Sequence, residues 1–426
     1  MNTRKYWVAA ALSILMVGWG ANQFASLLAL YRQEHGISEL SVTAMLGIYV
    51  VGLVPALLKG GSLSDQRGRH GLTVFSLVLT IVASALMIVG SQWIAFLFVG
   101  RFVAGVATGL AMAATTSWVK ELSQLPYDDA GLGSGARRAS FFSAGGFWSG
   151  PVVAGLLAAT VPFPQTVPYI VHIILSVVLL LIVRKVPETH HASIAAATPP
   201  ATAEQVSRAQ ERFRKVVAPA APWVFGAGTI GFAVVPAYMA NFGVDRLLYA
   251  TVGVALTLGC GVFIQSVARK LDDPSSAKAI LVSLGTSAVG LGLLALAMAL
   301  GNPWIGLLSS AVLGSGYGMM LVSGLLETQR LAPAGQLGSY NGKYYTLAYI
   351  GFLAPTILAF LGLWIGPWWQ LGIVAGLLAA SIIVVALNSR TALPLPSGAK
   401  LSQGNEKRPP HALPKEGRRD GRFEEP

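Results

Sequence analysis

Arg101 interrupts an apolar run that covers roughly residues 93–119 of this 426-residue chain. A charge at membrane depth costs at least ~2.5–3.5 kcal/mol on insertion scales, so the guanidinium must face protein or water. There it contacts a substrate, or modulates proton transfer, or serves as a hydrogen-bond hub for carbonyls of neighbouring helices. Asn22 and Gln23 form an amide pair inside another apolar run, suited to a hydroxyl or carbonyl ligand and equally to joining helices. Trp148, Tyr317, Tyr344, Tyr345 and Tyr349 either line a cavity or pack. Every Asp and Glu falls in a polar segment or near the end of an apolar run, Glu327 at the end of the tenth. A cationic cargo is therefore disfavoured. His172 could titrate, and Cys260 is the single cysteine, which excludes an internal disulfide. No acid, histidine or cysteine cluster suggests catalysis, a metal or a cofactor. Gly131–Gly135 is no phosphate loop, because no strand precedes it and no Gly-Lys-Ser/Thr follows.

A second chemically dense stretch is residues 61–71, Gly-Ser-Leu-Ser-Asp-Gln-Arg-Gly-Arg-His-Gly, between two long apolar runs. So short a connection makes the flanking elements antiparallel neighbours. Gly61 would admit a close helix, and Gly68 can take the positive φ of a tight reversal. Asp65, Arg67 and Arg69 place one acid and two bases at the membrane edge, where ion pairs can form and break between states. Arg69 is expected to pair with an acid at the end of a nearby span, first of all Glu121.

These residues must be positioned by membrane helices. Apolar residues make up 54% of the chain and charged residues 11%, against about 25% charged in soluble domains. Runs long enough to cross a bilayer occur at about 7–31, 41–60, 72–90, 93–119, 139–161, 168–186, 219–240, 247–268, 279–299, 303–326, 341–364 and 367–389. β-Barrel strands would be half that length and alternating. With the amino terminus inside, nearly all of the 30 bases fall on the cytoplasmic side; Arg32 and Arg246 face out and Arg101 lies within a span. That bias follows the positive-inside rule. It accounts for the net charge of +12 without nucleic-acid binding.

The runs divide six and six. The expected organisation is an N-terminal six-helix bundle over 1–186, a cytoplasmic linker over 187–218, a C-terminal bundle over 219–390 and a disordered tail over 391–426. In the linker, Arg208, Arg212, Arg214 and Lys215 either form an amphipathic helix on the inner leaflet or stay solvated. The halves look like repeats. Gly105 and Gly109 in the fourth run match Gly314 and Gly318 in the tenth, Gly150-Pro151 in the fifth matches Ala354-Pro355 in the eleventh, and Glu121 matches Glu327. Small residues four apart let helices approach closely in lipid, so packing alone could also explain them.

Gly61, Leu63, Asp65, Gly68 and Arg69 resemble the loop signature of the major facilitator superfamily, with Gln66 where the family usually has a base. Arg101-x3-Gly105-x3-Gly109 is similar to its span-4 motif. Gly146-x3-Gly150-Pro151-x3-Gly155 resembles its span-5 antiporter motif, with Ala154 in place of one glycine. The resemblance implies an all-α polytopic membrane protein: twelve transmembrane helices, two pseudo-symmetric bundles and a site between them. It further implies a monomeric secondary transporter of the cell (inner) membrane, both termini cytoplasmic. The expected activity is proton-linked efflux of a small neutral or amphiphilic compound. Uptake of a small, even anionic, metabolite is the alternative, and a non-transporting receptor or assembly protein the reading from another class. On this view Gly61, Asp65, Arg67, Gly68, Arg69 and Glu121 form a conformational latch. Asn22, Gln23, Arg101, Trp148, Tyr317, Glu327 and Tyr345 mark the substrate or proton pathway. Gly105, Gly109, Gly146, Gly150, Pro151 and Gly155 pack helices.

Overall fold

The computed structural model describes residues 6–130, 134–189, 202–333 and 336–393; the side chains of His35, Asp65 and Leu337 lie outside that description. Twelve helical spans run back and forth: α1 (Tyr6–Glu34), α2 (Glu39–Arg67), α3 (Arg69–Gly90), α4 (Ile94–Leu122), α5 (Ser134–Thr160), α6 (Val167–Val183), α7 (Ala203–Met239), α8 (Arg246–Leu271), α9 (Lys278–Leu300), α10 (Pro303–Leu331), α11 (Ser339–Leu361) and α12 (Pro367–Leu387). Eleven are long and apolar enough to cross a membrane, and α6 is a shorter apolar helix of 17 residues. The alternation brings Tyr6, the α2–α3 turn, 121–130, 184–189 and 388–393 to one end, here termed the basic end. At the opposite end Trp93, Trp304, Trp364, Trp368 and Trp369 are exposed, as expected of rings at a membrane interface.

Glycine sets how closely these helices pack. A Cβ on Gly105 would collide with the Tyr49 carbonyl of α2, and one on Gly109 would meet the Leu53 carbonyl at 2.5 Å. In the other half, Gly314 and Gly318 of α10 sit equally close to the Thr257 and Gly261 carbonyls of α8. The α2–α4 and α8–α10 contacts are therefore the same device repeated. Gly146 and Gly150 of α5 fit against the backbone of α1 at Leu15 and Trp19, whereas Gly155 reaches Thr251 of α8. Pro151 lies inside α5 and is buried.

The halves meet along two seams. On one, Trp148 Nε1 of α5 donates to the Ala255 carbonyl of α8 at 3.1 Å. On the other, Thr356 Oγ1 of α11 donates to the Thr43 carbonyl of α2 at 2.8 Å, and Leu58 lies beside Gly342 nearer the basic end.

Two segments depart from the sequence expectation. The charged stretch after Gly61 is not a loop: α2 continues through Arg67, and only Gly68, at φ 90°, makes the reversal. Nothing in 61–67 breaks a helix, so the polar residues ride on its last turns. The space a Cβ on Gly61 would fill is open, while Gly60 carries the close approach, to Ala113. The seventh span also begins earlier, at Ala203, with Thr202 and Gln205 forming a capping box. Residues 203–218, assigned to the linker from sequence, extend α7. Its two π-turns, Phe213–Val217 and Ile230–Val234, each precede a proline, Pro219 and Pro236. A proline lacks the N–H that would bond the fourth residue back and crowds that carbonyl; widening the helix relieves both.

Candidate cavity and the charge clusters at the basic end

Between the halves a cavity of about 880 Å³ opens at the end opposite the basic one. Its wall is mostly small and apolar: Ala25 and Ala29 of α1, Val42 of α2, and Ala233, Pro236 and Ala237 of α7. Arg32, Glu39 and Arg246 stand at its mouth. Arg32 pairs with Glu39 at 3.5 Å. Phe232 belongs both to the wall and to an inner band of buried residues drawn from both halves, including Phe24, Val254, Leu258 and Phe352. Rings continue the band across the middle. Phe225 stacks on Tyr349 at 4.5 Å and lies 5.8 Å from Tyr317; Tyr345 is 6.5 Å from Tyr349, and Tyr49 of the other half is 5.9 Å from Phe352.

None of the seven residues picked from sequence as pathway lines this cavity. Tyr317 and Tyr345 fall in the ring band next to it. Asn22 donates to the Phe147 carbonyl at 3.2 Å, tying α1 to α5. Gln23 is fully buried and donates to Ser84 Oγ at 3.3 Å. His172 sits in the same polar chain: its Nε2 meets the Met16 carbonyl at 2.9 Å, and its Nδ1 meets Ser84 Oγ at 2.9 Å. A carbonyl only accepts, so Nε2 carries the proton and the Ser84 hydroxyl donates to Nδ1. Trp148 occupies the α5–α8 seam. Sequence reading favoured polar groups at depth, and most of these hold helices together. The lining alanines look, by residue type, like lipid-facing ones.

Arg101 is 2% exposed and points into the N-terminal half. Nη1 donates to the Ala21 carbonyl at 2.6 Å and Nε to the Met45 carbonyl at 3.3 Å. Its guanidinium carbon lies 4.9 Å from the Phe24 ring centre and 4.5 Å from that of Tyr49. Helix α1 loses regularity at Gln23, and the arginine supplies a donor to the carbonyl just before that break.

At the basic end Arg69 Nε meets Glu121 Oε1 at 3.3 Å, and Arg69 Nη1 reaches Ser64 Oγ at 2.6 Å. Thr189 Oγ1 donates to the other oxygen of Glu121. The Glu188 carboxylate accepts from the N–H groups of Arg69 and His70, each at 2.9 Å. It thereby caps the start of α3, where free N–H groups and the helix dipole favour negative charge. Sequence reading missed Glu188; the available signal was an acid directly after Pro187 at the foot of α6. Arg67 is exposed, and the side chain of Asp65 lies outside the described residues.

The other half answers differently. Glu327, read from sequence as a span-edge acid on the pathway, is 3% exposed and enclosed by two bases. Arg212 of α7, itself wholly buried, pairs with one of its oxygens, and Arg330 with the other at 2.7 Å. Arg330 also pairs with Asp272. Helix α9 opens on Lys278, as α3 opens on Arg69, yet Lys278 is exposed. The neighbouring Asp273 instead accepts from Ser275 and Ser276, hydrogen bonds that hold its carboxyl down at about 2.

Residues 8–355 match the sequence profile of the Major Facilitator Superfamily, and the chain belongs to that superfamily of multi-pass membrane transporters. Among individual proteins, the quinolone resistance protein NorB of Staphylococcus aureus (strain Newman) is 30% identical over 158 residues, 36% of this chain and 31% of NorB. The aligned region thus spans about a third of that relative. Two solved structures share the fold. A peptide transporter in complex with sulfate has a TM-score of 0.74 at 16% identity, covering 90% of this chain and 93% of that one. A D-xylose-proton symporter has a TM-score of 0.66 at 16% identity, covering 91% and 97%.

Proposed function

We propose that the protein exports a small amphiphilic organic molecule, neutral or anionic, by alternating access, with both termini cytoplasmic. The observation that carries this is the cavity between the halves. It is large enough for a drug-sized ligand and mostly apolar. Among its described lining residues the single carboxylate, Glu39, already faces Arg32, which leaves Arg246 as the uncompensated charge. A cation would meet no free acid there. Placing the bases inside makes the cavity outward-facing, with Leu58 beside Gly342 joining the halves nearer the inner side and the Arg69–Glu121 and Arg212–Glu327 pairs each bracing one half there. The local similarity to NorB and the glycine–proline face of α5 favour efflux. Coupling to protons is expected to be loose, because the acids sit near the mouths or inside ion pairs. Flux in proteoliposomes, with and without an imposed pH gradient, tests the reading. Uncharged and anionic amphiphiles should move and their permanently cationic counterparts should not; preference for the cation would overturn it. Uptake of an anionic metabolite is the second reading, favoured by Arg246 at the mouth, and the direction of accumulation separates the two.

A further inference from the structure

We propose that Arg212 is a positioning residue of the transport cycle, one that makes the connector between the halves part of the ion-pair cluster at the basic end of the C-terminal half. The role rests on the transport reading above; the contacts do not. In the N-terminal half the acid ending α4, Glu121, is held by the first residue of α3. In the C-terminal half the matching acid, Glu327, takes its base from the foot of α7, the stretch that leads out of the connector. That one buried side chain joins three elements, because Nη1 also donates to the Ser389 and Thr391 carbonyls beyond α12, at 3.1 and 2.8 Å. Arg330 and Asp272 extend the tie to the α8–α9 connection.

The other end of the connector is fastened in the same way, since Thr189 donates to Glu121. The chain thus leaves one half at one carboxylate and enters the other at its counterpart. Directly after Arg212 comes the π-turn Phe213–Val217, and the cavity wall on α7 begins at Phe232, within the second π-turn. A foot held by three partners and a helix twice loosened above it place the bending of α7 beyond Arg212, on the side of the wall. Movement of α7 is then referred to a fixed base, and that base is Arg212.

Hydrogen exchange in detergent, with no substrate present, tests the anchor. Glu327→Gln and Arg212→Gln should each raise exchange at 203–212 and at 388–391 together, by about tenfold or more, while Glu121→Gln leaves both unchanged. Arg212→Lys is the discriminating variant. An ammonium can keep the ion pair but cannot reproduce the guanidinium fork, so 203–212 should regain protection while 388–391 stays open. If Arg212→Gln fails to fold, Arg212→Met with Glu327→Leu removes the pair without stranding a charge and should show the same joint release. Unchanged exchange at the α7 foot in the folded variants overturns the anchor. In proteoliposomes Arg212→Lys should lower turnover several-fold with KM unaltered, because no cavity residue is touched; a changed KM at constant turnover overturns the positioning role. Absence of flux in the unmodified protein, with the exchange pattern intact, would count against the transport reading alone.

Discussion

Replacing Arg101 should weaken both the fold and its function, and the structure sets the scale. Two charge-assisted bonds to carbonyls, at 2.6 and 3.3 Å, are worth about 1.5–3 kcal/mol each. Contacts with the Phe24 and Tyr49 rings add about 0.5–2 kcal/mol apiece. Against roughly 4–10 kcal/mol stands the ~2.5–3.5 kcal/mol cost of holding the charge at depth. Arg101→Leu should therefore cost a few kcal/mol, read as a lower midpoint in reversible unfolding from mixed micelles. Arg101→Lys should recover little of it, because one point charge cannot serve the Ala21 and Met45 carbonyls and stack between two rings. Since Ala21 lies two residues before the irregular turn of α1 at Gln23, and Ala25 and Ala29 beyond it line the cavity, coupled flux should be abolished in Arg101→Ala. A Leu variant with the original midpoint and flux would refute this reasoning.

Other outcomes follow from single contacts. Asp65→Asn should cut transport while leaving expression intact, and an unchanged rate across the pH range would sink the latch. Glu188→Ala removes the acceptor for two N–H groups at the start of α3 and should cost about 1–2 kcal/mol, measured as faster amide exchange at 69–72. Gly105→Val should destabilise the fold strongly by driving a side chain into the Tyr49 carbonyl, whereas Gly61→Ala should fold normally, since its Cβ site is open, and slow flux only if the other conformer closes on it. Glu34, at the end of α1, and Asp245, which caps the start of α8, are acids on the side opposite the basic end. Neutralising them with Glu327 and replacing His172 should leave little pH-driven accumulation, and steep accumulation that survives would point to another carrier or to a proton on the substrate.

The helices were legible because a bilayer imposes one length and one polarity on every span. The start of α7 was not, because residues 203–218 carry the polarity of a linker and are helical through capping and the buried Arg212, neither of which composition reveals. The repeated glycines of α4 and α10 were legible as small residues four apart, and they lie at the α2–α4 and α8–α10 contacts, where close backbone approach admits few other residues. The cavity was illegible for the converse reason. Alanine suits a smooth binding wall, a helix contact and a lipid-facing surface alike, so only the tertiary arrangement distinguishes them.

The length of α7 has a practical consequence. Thirty-seven helical residues rise about 55 Å at 1.5 Å each, well beyond the ~30 Å of hydrocarbon they must cross. The surplus stands at the basic end as a stalk whose foot is bolted through Arg212 to α10 and to the segment just beyond α12. A helical fusion partner spliced in phase at Thr202 would inherit that rigidity. It would give the protein a fixed landmark outside the bilayer for single-particle imaging, and its tilt would report the C-terminal half directly.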